Sequence, residues 1–167
     1  VISAYEYAAI SNVTANATSA AGFGVLYSAN ATPTGITLNA NTGLISGTPT
    51  TVGNTYALLT ATANTTSRSN TRNIIYNVNQ DVVTWSSPDN GTAYTVSQDT
   101  AISNVTLSAS SAAGFGVQYT ANALPTGITL SGSTISGTPT VTQTVDTLLT
   151  ATANTTGRTA TRYISWS

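Results

Sequence analysis

The chain has 167 residues, of which 40% are hydrophobic and only 5% are charged, and its formal net charge is −1. The few charges do not cluster, so the basic stripe of a nucleic-acid-binding surface is excluded. No apolar run approaches the roughly 20 residues that a membrane-spanning helix needs. Lys and Met are absent, Glu occurs once, and Thr, Ser, Asn, Ala and Gly fill the gaps between apolar positions, which predicts an all-β protein.

Most of the sequence occurs twice. Residues 10–38 reappear as residues 102–130 with only six differences, which indicates tandem duplication of one folding unit. We predict two domains, residues 1–80 and residues 81–167, joined by a linker near residues 79–82. The chain begins at Val1 rather than Met, as expected for a portion of a longer polypeptide.

Apolar and polar residues alternate over two early stretches of each unit. This period of two predicts half-buried strands. The apolar positions are Val13, Ala15, Ala17, Phe23, Val25 and Tyr27 in the first unit, and Val105, Leu107, Ala109, Phe115, Val117 and Tyr119 in the second.

The centre of each unit is a punctuated stretch, TPTGITLNANTGLISGTPT at residues 32–50 and LPTGITLSGSTISGTPT at residues 124–140. Pro and Gly at both ends of short apolar runs predict sharp turns around two strands. A strand is then predicted near residues 56–63 and residues 145–153, followed by a tight turn and a closing strand. The closing strand carries Ile74, Tyr76 and Val78 in the first unit, and Ile164 and Trp166 in the second.

These motifs resemble the He-PIG type of Ig-like repeat, which is related to cadherin-like and dystroglycan-type modules and occurs in phage virion and microbial cell-surface proteins. In that family an LPxGL turn, a TGxISGTP segment and a closing TATA strand recur. The resemblance covers nearly the whole chain twice. It implies two tandem Ig-like antiparallel β-sandwich domains.

The first unit lacks a counterpart of the second unit's opening strand. That strand is predicted near Val83 to Ser86, and subtraction of the repeat offset places its counterpart before Val1. We therefore expect an uncovered edge in the first unit. An upstream segment, residues 1–9 folding back, or a strand donated by a neighbouring subunit could fill it, and a short irregular first strand at residues 2–7 is the alternative. Ala15 and Ala17 also predict a lighter core in the first unit.

No catalytic constellation is visible, because the chain has no His, no Cys and no acids paired in sequence. We expect no enzymatic activity and no cofactor. Cadherin-like relatives often carry an acidic DPDGD-like segment that can coordinate calcium, but the corresponding residues 19–22 and 111–114 both read SAAG. No metal site is therefore expected. Asp81, Asp89 and Asp99 are interpreted as solvated turn acids, with a weak ion site as the alternative.

Several residues are candidates for surface contacts or modification. Tyr94 and Tyr163 are expected to point outwards, and Trp85 and Trp166 to fill core or junction positions. The candidates for contact with an anionic glycan, a neighbouring subunit or another protein are Arg68, Arg72, Arg158, Arg162, Tyr5 and Tyr7. Asn-x-Ser/Thr sequons, which matter only in a source that glycosylates Asn, occur at Asn12, Asn16, Asn30, Asn64, Asn90, Asn104 and Asn154.

The sequence and the resemblance together favour a non-enzymatic structural or adhesive element of an extracellular appendage. We expect a phage virion fibre or decoration protein, or a microbial surface fibre, which strand donation between subunits could assemble. The expected partners are copies of the chain or other virion or surface structural proteins, and glycans, with no nucleic acid and no membrane insertion. The alternatives are a carbohydrate-binding or receptor-binding module and an accessory domain of a larger secreted enzyme.

Overall fold

The computed structural model describes all residues 1–167, and every regular element in it is a β-strand. It contains no helix long and apolar enough to cross a membrane. The chain divides into two compact units, Val1–Gln80 and Asp81–Ser167. The prediction of an all-β, Ig-like fold is confirmed.

The first unit contains seven strands in two sheets. A four-stranded sheet has the order β1-β7-β6-β3, and a three-stranded sheet has the order β2-β5-β4. All neighbours are antiparallel except β1 and β7, which are parallel. The strands are β1 (Ile2–Tyr5), β2 (Val13–Thr14), β3 (Val25–Ala29), β4 (Ile36–Leu38), β5 (Leu44–Gly47), β6 (Gly53–Ala63) and β7 (Ser69–Asn79).

The second unit contains nine strands in three sheets. The sheet orders are β12-β15-β16-β9, β10-β14-β13 and β11-β8, and only β9 runs parallel to its neighbour. The strands are β8 (Val83–Ser87), β9 (Thr92–Tyr94), β10 (Val105–Thr106), β11 (Ser108–Ser111), β12 (Val117–Ala121), β13 (Ile128–Ser131), β14 (Thr134–Gly137), β15 (Val145–Ala153) and β16 (Thr159–Trp166).

Strands β8 and β11 have no counterpart in the first unit. Strand β1 pairs in parallel with the last strand of its unit, as β9 does in the second unit, so β1 holds the position of β9 and not that of β8. Residues 1–9 therefore do not fold back over the edge that β8 covers in the second unit. The predicted first strand at residues 2–7 exists, but it lies at a different edge from the one it was expected to cover.

The predicted alternating strand at residues 13–17 is also shorter than expected. Only Val13 and Thr14 form a strand, and Ala17 is exposed. In the second unit the same stretch is split, because β10 pairs with β14 whereas β11 pairs with β8. Leu107 lies at the change of partner and is 2% exposed. Pairing with β8 thus keeps residues 108–111 extended. The first unit has no counterpart of β8, and only the first two residues of its stretch form a strand.

The repeated Pro-Thr-Gly-Ile and Ser-Gly-Thr-Pro motifs have a steric cause. Gly127 and Gly137 lie at the paired ends of β13 and β14, with φ angles of 92° and 137°. A Cβ atom on Gly127 would collide with the Thr138 carbonyl oxygen, and one on Gly137 would collide with the Gly127 carbonyl oxygen. Only glycine combines a positive φ with so close a backbone approach.

The two cores differ in size. In the first unit the buried cluster consists of Ile10, Ile36, Ile45, Ala57 and Tyr76. In the second it consists of Val83, Trp85, Leu107, Ile128, Ile135, Leu149, Ala151, Ala153, Ile164 and Trp166. The indole Nε1 of Trp166 donates a hydrogen bond to Thr147 Oγ1 (3.0 Å), which itself donates to the Ala123 carbonyl (2.7 Å). The second unit therefore has the larger contiguous cluster of buried apolar residues, and no buried side-chain polar atom in either unit lacks a hydrogen-bond partner.

Substitution of Gly127 tests the hairpin geometry. We expect Gly127→Ala to lower the free energy of unfolding of the second unit by more than about 2 kcal/mol, because the new Cβ meets backbone that cannot rotate away. Gly132→Ala is the matched control, since Gly132 also has a positive φ but open space around its Cβ position, and about 1 kcal/mol is expected there. Urea denaturation followed by Trp fluorescence measures both, and equal losses would contradict the steric account.

The difference in core size predicts that the first unit melts before the second. Trp85 and Trp166 are the only tryptophans of the chain and both lie in the second unit, so their fluorescence reports on that unit alone. On heating, the far-ultraviolet circular dichroism of the full chain should begin to change at a lower temperature than the Trp fluorescence. A single transition that coincides for the two probes would count against the core assignment.

Candidate functional site

The candidate site is the place that β8 occupies in the second unit and that is open in the first. Strand β8 pairs antiparallel with β11 and turns Val83 and Trp85 inwards, where each is only 7% exposed. Successive residues of a strand face opposite sides of the sheet, so Thr84 and Ser86 face solvent while Val83 and Trp85 face the core. One short strand thus supplies two core residues and covers one side of the sandwich.

Trp85 is held by three residues of the second unit. Its ring lies 5.5 Å from the ring of Tyr119, and its Nε1 donates a hydrogen bond to the Ala160 carbonyl (3.0 Å). The guanidinium carbon of Arg162 lies 6.0 Å from the Trp85 ring centroid, within cation–π range. Arg162 also donates to the Trp85 carbonyl (3.0 Å) and to the carbonyl of Pro88. These contacts fix both the side chain and the backbone of β8.

Asp81, immediately before β8, anchors the start of the strand and is only 1% exposed. Its Oδ1 accepts hydrogen bonds from Ser111 Oγ (2.7 Å) and the Ala113 amide (3.0 Å), and its Oδ2 accepts one from Thr156 Oγ1 (2.7 Å). Desolvation raises the pKa of Asp81, but these bonds and one from the Val82 amide outweigh it, so the pKa lies below its ordinary value. The carboxylate is therefore held charged inside the unit.

The first unit has the same binding residues but no strand between them. Ser19, Ala21 and Thr66 stand where Ser111, Ala113 and Thr156 hold the Asp81 carboxylate. Tyr27 and Arg72 similarly correspond to Tyr119 and Arg162. Four of these five residues, all except Tyr27, line an open groove of about 570 Å³, together with Phe23, Val25, Ala61 and Ala63. Tyr27 lines a smaller pocket of about 140 Å³. This pocket and the groove share Asn16, Ala17, Ala61, Asn70 and Arg72.

The missing strand accounts for the exposure of these residues. Phe23 is 36% exposed, whereas its equivalent Phe115 is half-buried. Ala61 is half-buried, whereas Ala151 has no exposed surface. The Arg72 side chain is exposed and makes no hydrogen bond or ion pair, in contrast to the half-buried Arg162. An apolar floor with unused hydrogen-bond donors at its rim is what an added β-strand would cover.

The four arginines predicted as two cationic pairs occupy unlike environments. Arg162 is committed to the carbonyls of β8 and the following turn, with Asp89 at 3.6 Å, so it does not present a free charge. Arg158 is half-buried. Arg68 and Arg72 are exposed and both line the groove of the first unit. Their contact role remains a prediction, and it now concerns this groove.

The tyrosines predicted to make surface contacts also differ in their exposure. Tyr7 is 44% exposed and Tyr163 is 58% exposed, whereas Tyr5 is half-buried. Tyr94 was expected to point outwards, but its ring stacks on Trp166 at 4.8 Å and is half-buried, because β9 lies against the closing strand. Trp85 and Trp166 are buried, as predicted for core residues.

The sequon asparagines are all exposed, so their use as glycan acceptors remains a prediction. They are Asn12, Asn16, Asn30, Asn64, Asn90, Asn104 and Asn154.

The three acids interpreted as solvated turn residues do not behave alike. Asp89 and Asp99 are exposed, but Asp81 is buried, and this part of the interpretation was wrong. Three of its hydrogen-bond donors, Ser111, Ala113 and Thr156, lie 30 to 75 positions away, which no local pattern reveals. Three or more His, Cys, Asp or Glu residues come together nowhere in the chain.

The comparisons with known proteins concern the fold. Residues 1–79 match the family described as "Putative Ig domain" (He-PIG). Similar solved structures include Drosophila N-cadherin EC1-4 (12% identity, TM-score 0.44, 99% of this chain and 46% of that chain). They also include the endo-fucoidan hydrolase MfFcnA9 from glycoside hydrolase family 107 (15% identity, TM-score 0.42, 99% of this chain and 32% of that chain). Human protocadherin-24 EC1-2 is a third (10% identity, TM-score 0.40, 99% of this chain and 92% of that chain).

The chain spans less than half the length of the N-cadherin and hydrolase chains. A search of curated protein sequences gives no match.

Replacement of Asp81 tests its anchoring role. We expect Asp81→Ala to lower the free energy of unfolding of the second unit by about 2–3 kcal/mol, because the Ser111 and Thr156 hydroxyls and the Ala113 amide lose their acceptor. Asp89→Ala is the control, since the Asp89 side chain is 96% exposed, and a change within about 0.5 kcal/mol is expected. Urea unfolding followed by Trp fluorescence measures both, and equal effects would refute the anchor.

The same residue predicts a pH dependence. Because the pKa of Asp81 is lowered on folding, the stability it contributes is present above its ordinary value of 3.8 and is lost as the pH falls through that value and below. The unmodified chain should therefore lose more stability than Asp81→Ala between pH 6 and pH 3. Parallel pH profiles for the two proteins would contradict this.

Proposed function

We propose that the chain, whose residues 1–79 match the He-PIG family of Ig domains, is a non-enzymatic structural or adhesive element of an extracellular appendage. The appendage is a virion fibre or decoration protein of a phage, or a fibre on a microbial surface. A strand donated from one subunit to the next links the subunits.

The observation that carries the proposal is the contrast between the two units. The second unit has its own β8, and the first offers the same binding residues around an empty groove. A unit with an acceptor groove can bind an extended segment of another subunit by β-augmentation, with backbone hydrogen bonds along the added strand. Repetition of such a contact is head-to-tail and generates a filament.

The chemistry of the surface supports a structural role. Exposed strand positions are mostly Thr, Ser and Asn, which hydrogen-bond with water and carry no charge. The chain has no His or Cys, and its acids do not gather, so acid–base or nucleophilic catalysis has no evident residues to perform it.

Immunogold electron microscopy tests the proposed location. An antibody raised against residues 1–167 should label appendages of intact particles or cells of the source, with the gold repeated along a fibre or at regular surface positions. Label confined to the interior of lysed cells would contradict an extracellular role. Pre-absorption of the antibody with the purified chain is the control.

A glycan array distinguishes the structural role from a carbohydrate-binding module. A structural repeat should bind no glycan above background, so specific binding that Arg68→Ala or Tyr7→Ala abolishes would favour the carbohydrate-binding function instead.

A further inference from the structure

We propose that β12 (Val117–Ala121), an edge strand of the second unit, pairs antiparallel with β12 of a second copy of the chain, so that two chains form a dimer about a two-fold axis. This surface is distinct from the groove of the first unit and from the place that β8 occupies in the second. The dimer also goes beyond the proposed function, because it concerns the chain in solution whatever its location.

The outer edge of β12 carries unpaired backbone groups. On its inner edge β12 pairs with β15, and the Asn122 amide that follows it donates to the Leu148 carbonyl (3.1 Å). Bonded and non-bonded pairs alternate in an antiparallel ladder, so Gln118 and Thr120 also turn their backbone groups toward β15. The residues that turn their backbone groups outwards are Val117, Tyr119 and Ala121. None of these outward groups has a backbone partner in the chain.

The first unit closes the same edge with a longer loop. The amide of Tyr27, the equivalent of Tyr119, donates to the carbonyl of Ala40 (2.8 Å), which lies in the loop between β4 and β5. Asn39 shapes this loop, because its Oδ1 accepts hydrogen bonds from the Asn41 and Thr42 amides (3.0 Å each). In the second unit NANTGLI is replaced by the shorter SGSTI, which contains no equivalent of Ala40. The open edge therefore follows from the length of a loop inside the repeat.

A charge-free groove lies beside this edge. It has a volume of about 890 Å³, and its apolar lining includes the half-buried Tyr119 and Leu130 and the buried Ile128. No residue that lines it is charged. Natural proteins usually protect an edge strand with a charge, a proline or a bulge, but β12 contains no charged residue and no proline, and its register with β15 is regular. The edge is thus open to pairing with another uncharged strand.

A second copy of β12 satisfies this edge on both faces. With Tyr119 opposite its own counterpart on the two-fold axis, all outward backbone groups of both strands are bonded. On the solvent face Gln118 then lies opposite Thr120 of the second copy, and its amide can donate to the hydroxyl. On the core face Val117 lies opposite Ala121 of the second copy, so a larger side chain meets a smaller one. Neither pair places like charges opposite each other.

The symmetry of the contact limits the assembly to two chains. In a two-fold interface each copy uses the same surface, so both β12 edges are consumed when the dimer forms. The equivalent strand β3 does not extend the assembly, because Ala40 already accepts the hydrogen bond of its central amide. We therefore expect a closed dimer.

Sedimentation velocity of the full chain tests the proposal. The unmodified chain should sediment as a particle of twice the 16.9 kDa mass of one chain. Ala121→Pro removes an outward amide without touching the ladder to β15, a position at which an edge strand tolerates proline. It should weaken dimerisation at least about tenfold, because each dimer loses two hydrogen bonds. Ala29→Pro, at the equivalent position of β3, is the matched control and should leave the dimer unchanged.

A loop exchange tests the same edge without altering β12. Replacement of SGSTI at residues 131–135 by NANTGLI should give a monomer, because the introduced loop offers the Tyr119 amide the carbonyl that Ala40 offers Tyr27. Far-ultraviolet circular dichroism checks that each variant is folded. Amide hydrogen exchange then locates the interface, since the Tyr119 amide should exchange at least about tenfold faster in Ala121→Pro than in the dimer.

Two results would overturn the proposal. One is a chain that remains monomeric at about 500 μM, a concentration at which even a weak, submillimolar dimer is populated. The other is a dimer that persists in both Ala121→Pro and the loop exchange, which would place the interface elsewhere. Both results are independent of the immunogold experiment, so a failure of the dimer and a failure of the extracellular role are distinguishable.

Discussion

The packing of Trp85 against Tyr119 is the contact through which β8 closes the core of the second unit. With Trp85 in place, Ala151 and Ala153 have no exposed surface, and Leu107 is covered where the chain changes sheets. Burial of one large aromatic side chain removes a large apolar area from water. Arg162 and the carboxylate of Asp81 then hold the strand at two points along its length. The first unit keeps the receiving surface without this contact, so equivalent residues are more exposed.

Comparison of the two repeats shows which residues the fold requires and which segments can vary. Both units keep the two glycines that face each other across the central hairpin, because any side chain there would collide with backbone. The loop within that hairpin changes length, from NANTGLI to SGSTI, without changing the pairing of its flanking strands. The residues that bind the opening strand β8 in the second unit are also kept in the first. Ser19, Thr66 and Arg72 are present, although no strand of residues 1–80 covers them.

Much of the fold could be predicted from the sequence because its causes are local. Alternation placed Val117 and Tyr119 on one face of β12, where both are half-buried, and the repeat offset showed that no strand equivalent to β8 lies within the first unit. Asp81 could not be placed in this way, since its partners lie on segments that only the folded unit brings together. The same holds for Arg162, which appeared equivalent to Arg72 in sequence but is engaged by a strand that the first unit lacks.

Amide hydrogen exchange distinguishes the covered groove of the second unit from the open groove of the first in a single measurement on one chain. The amides of Ala112 and Ala113 are bonded to Val82 and Asp81, whereas those of Ala20 and Ala21 have no protein acceptor. The account predicts that the Ala20 and Ala21 amides exchange at least about 100-fold faster than their equivalents in the second unit. Equal protection of the two pairs would mean that the first unit's groove is closed, and would contradict the account.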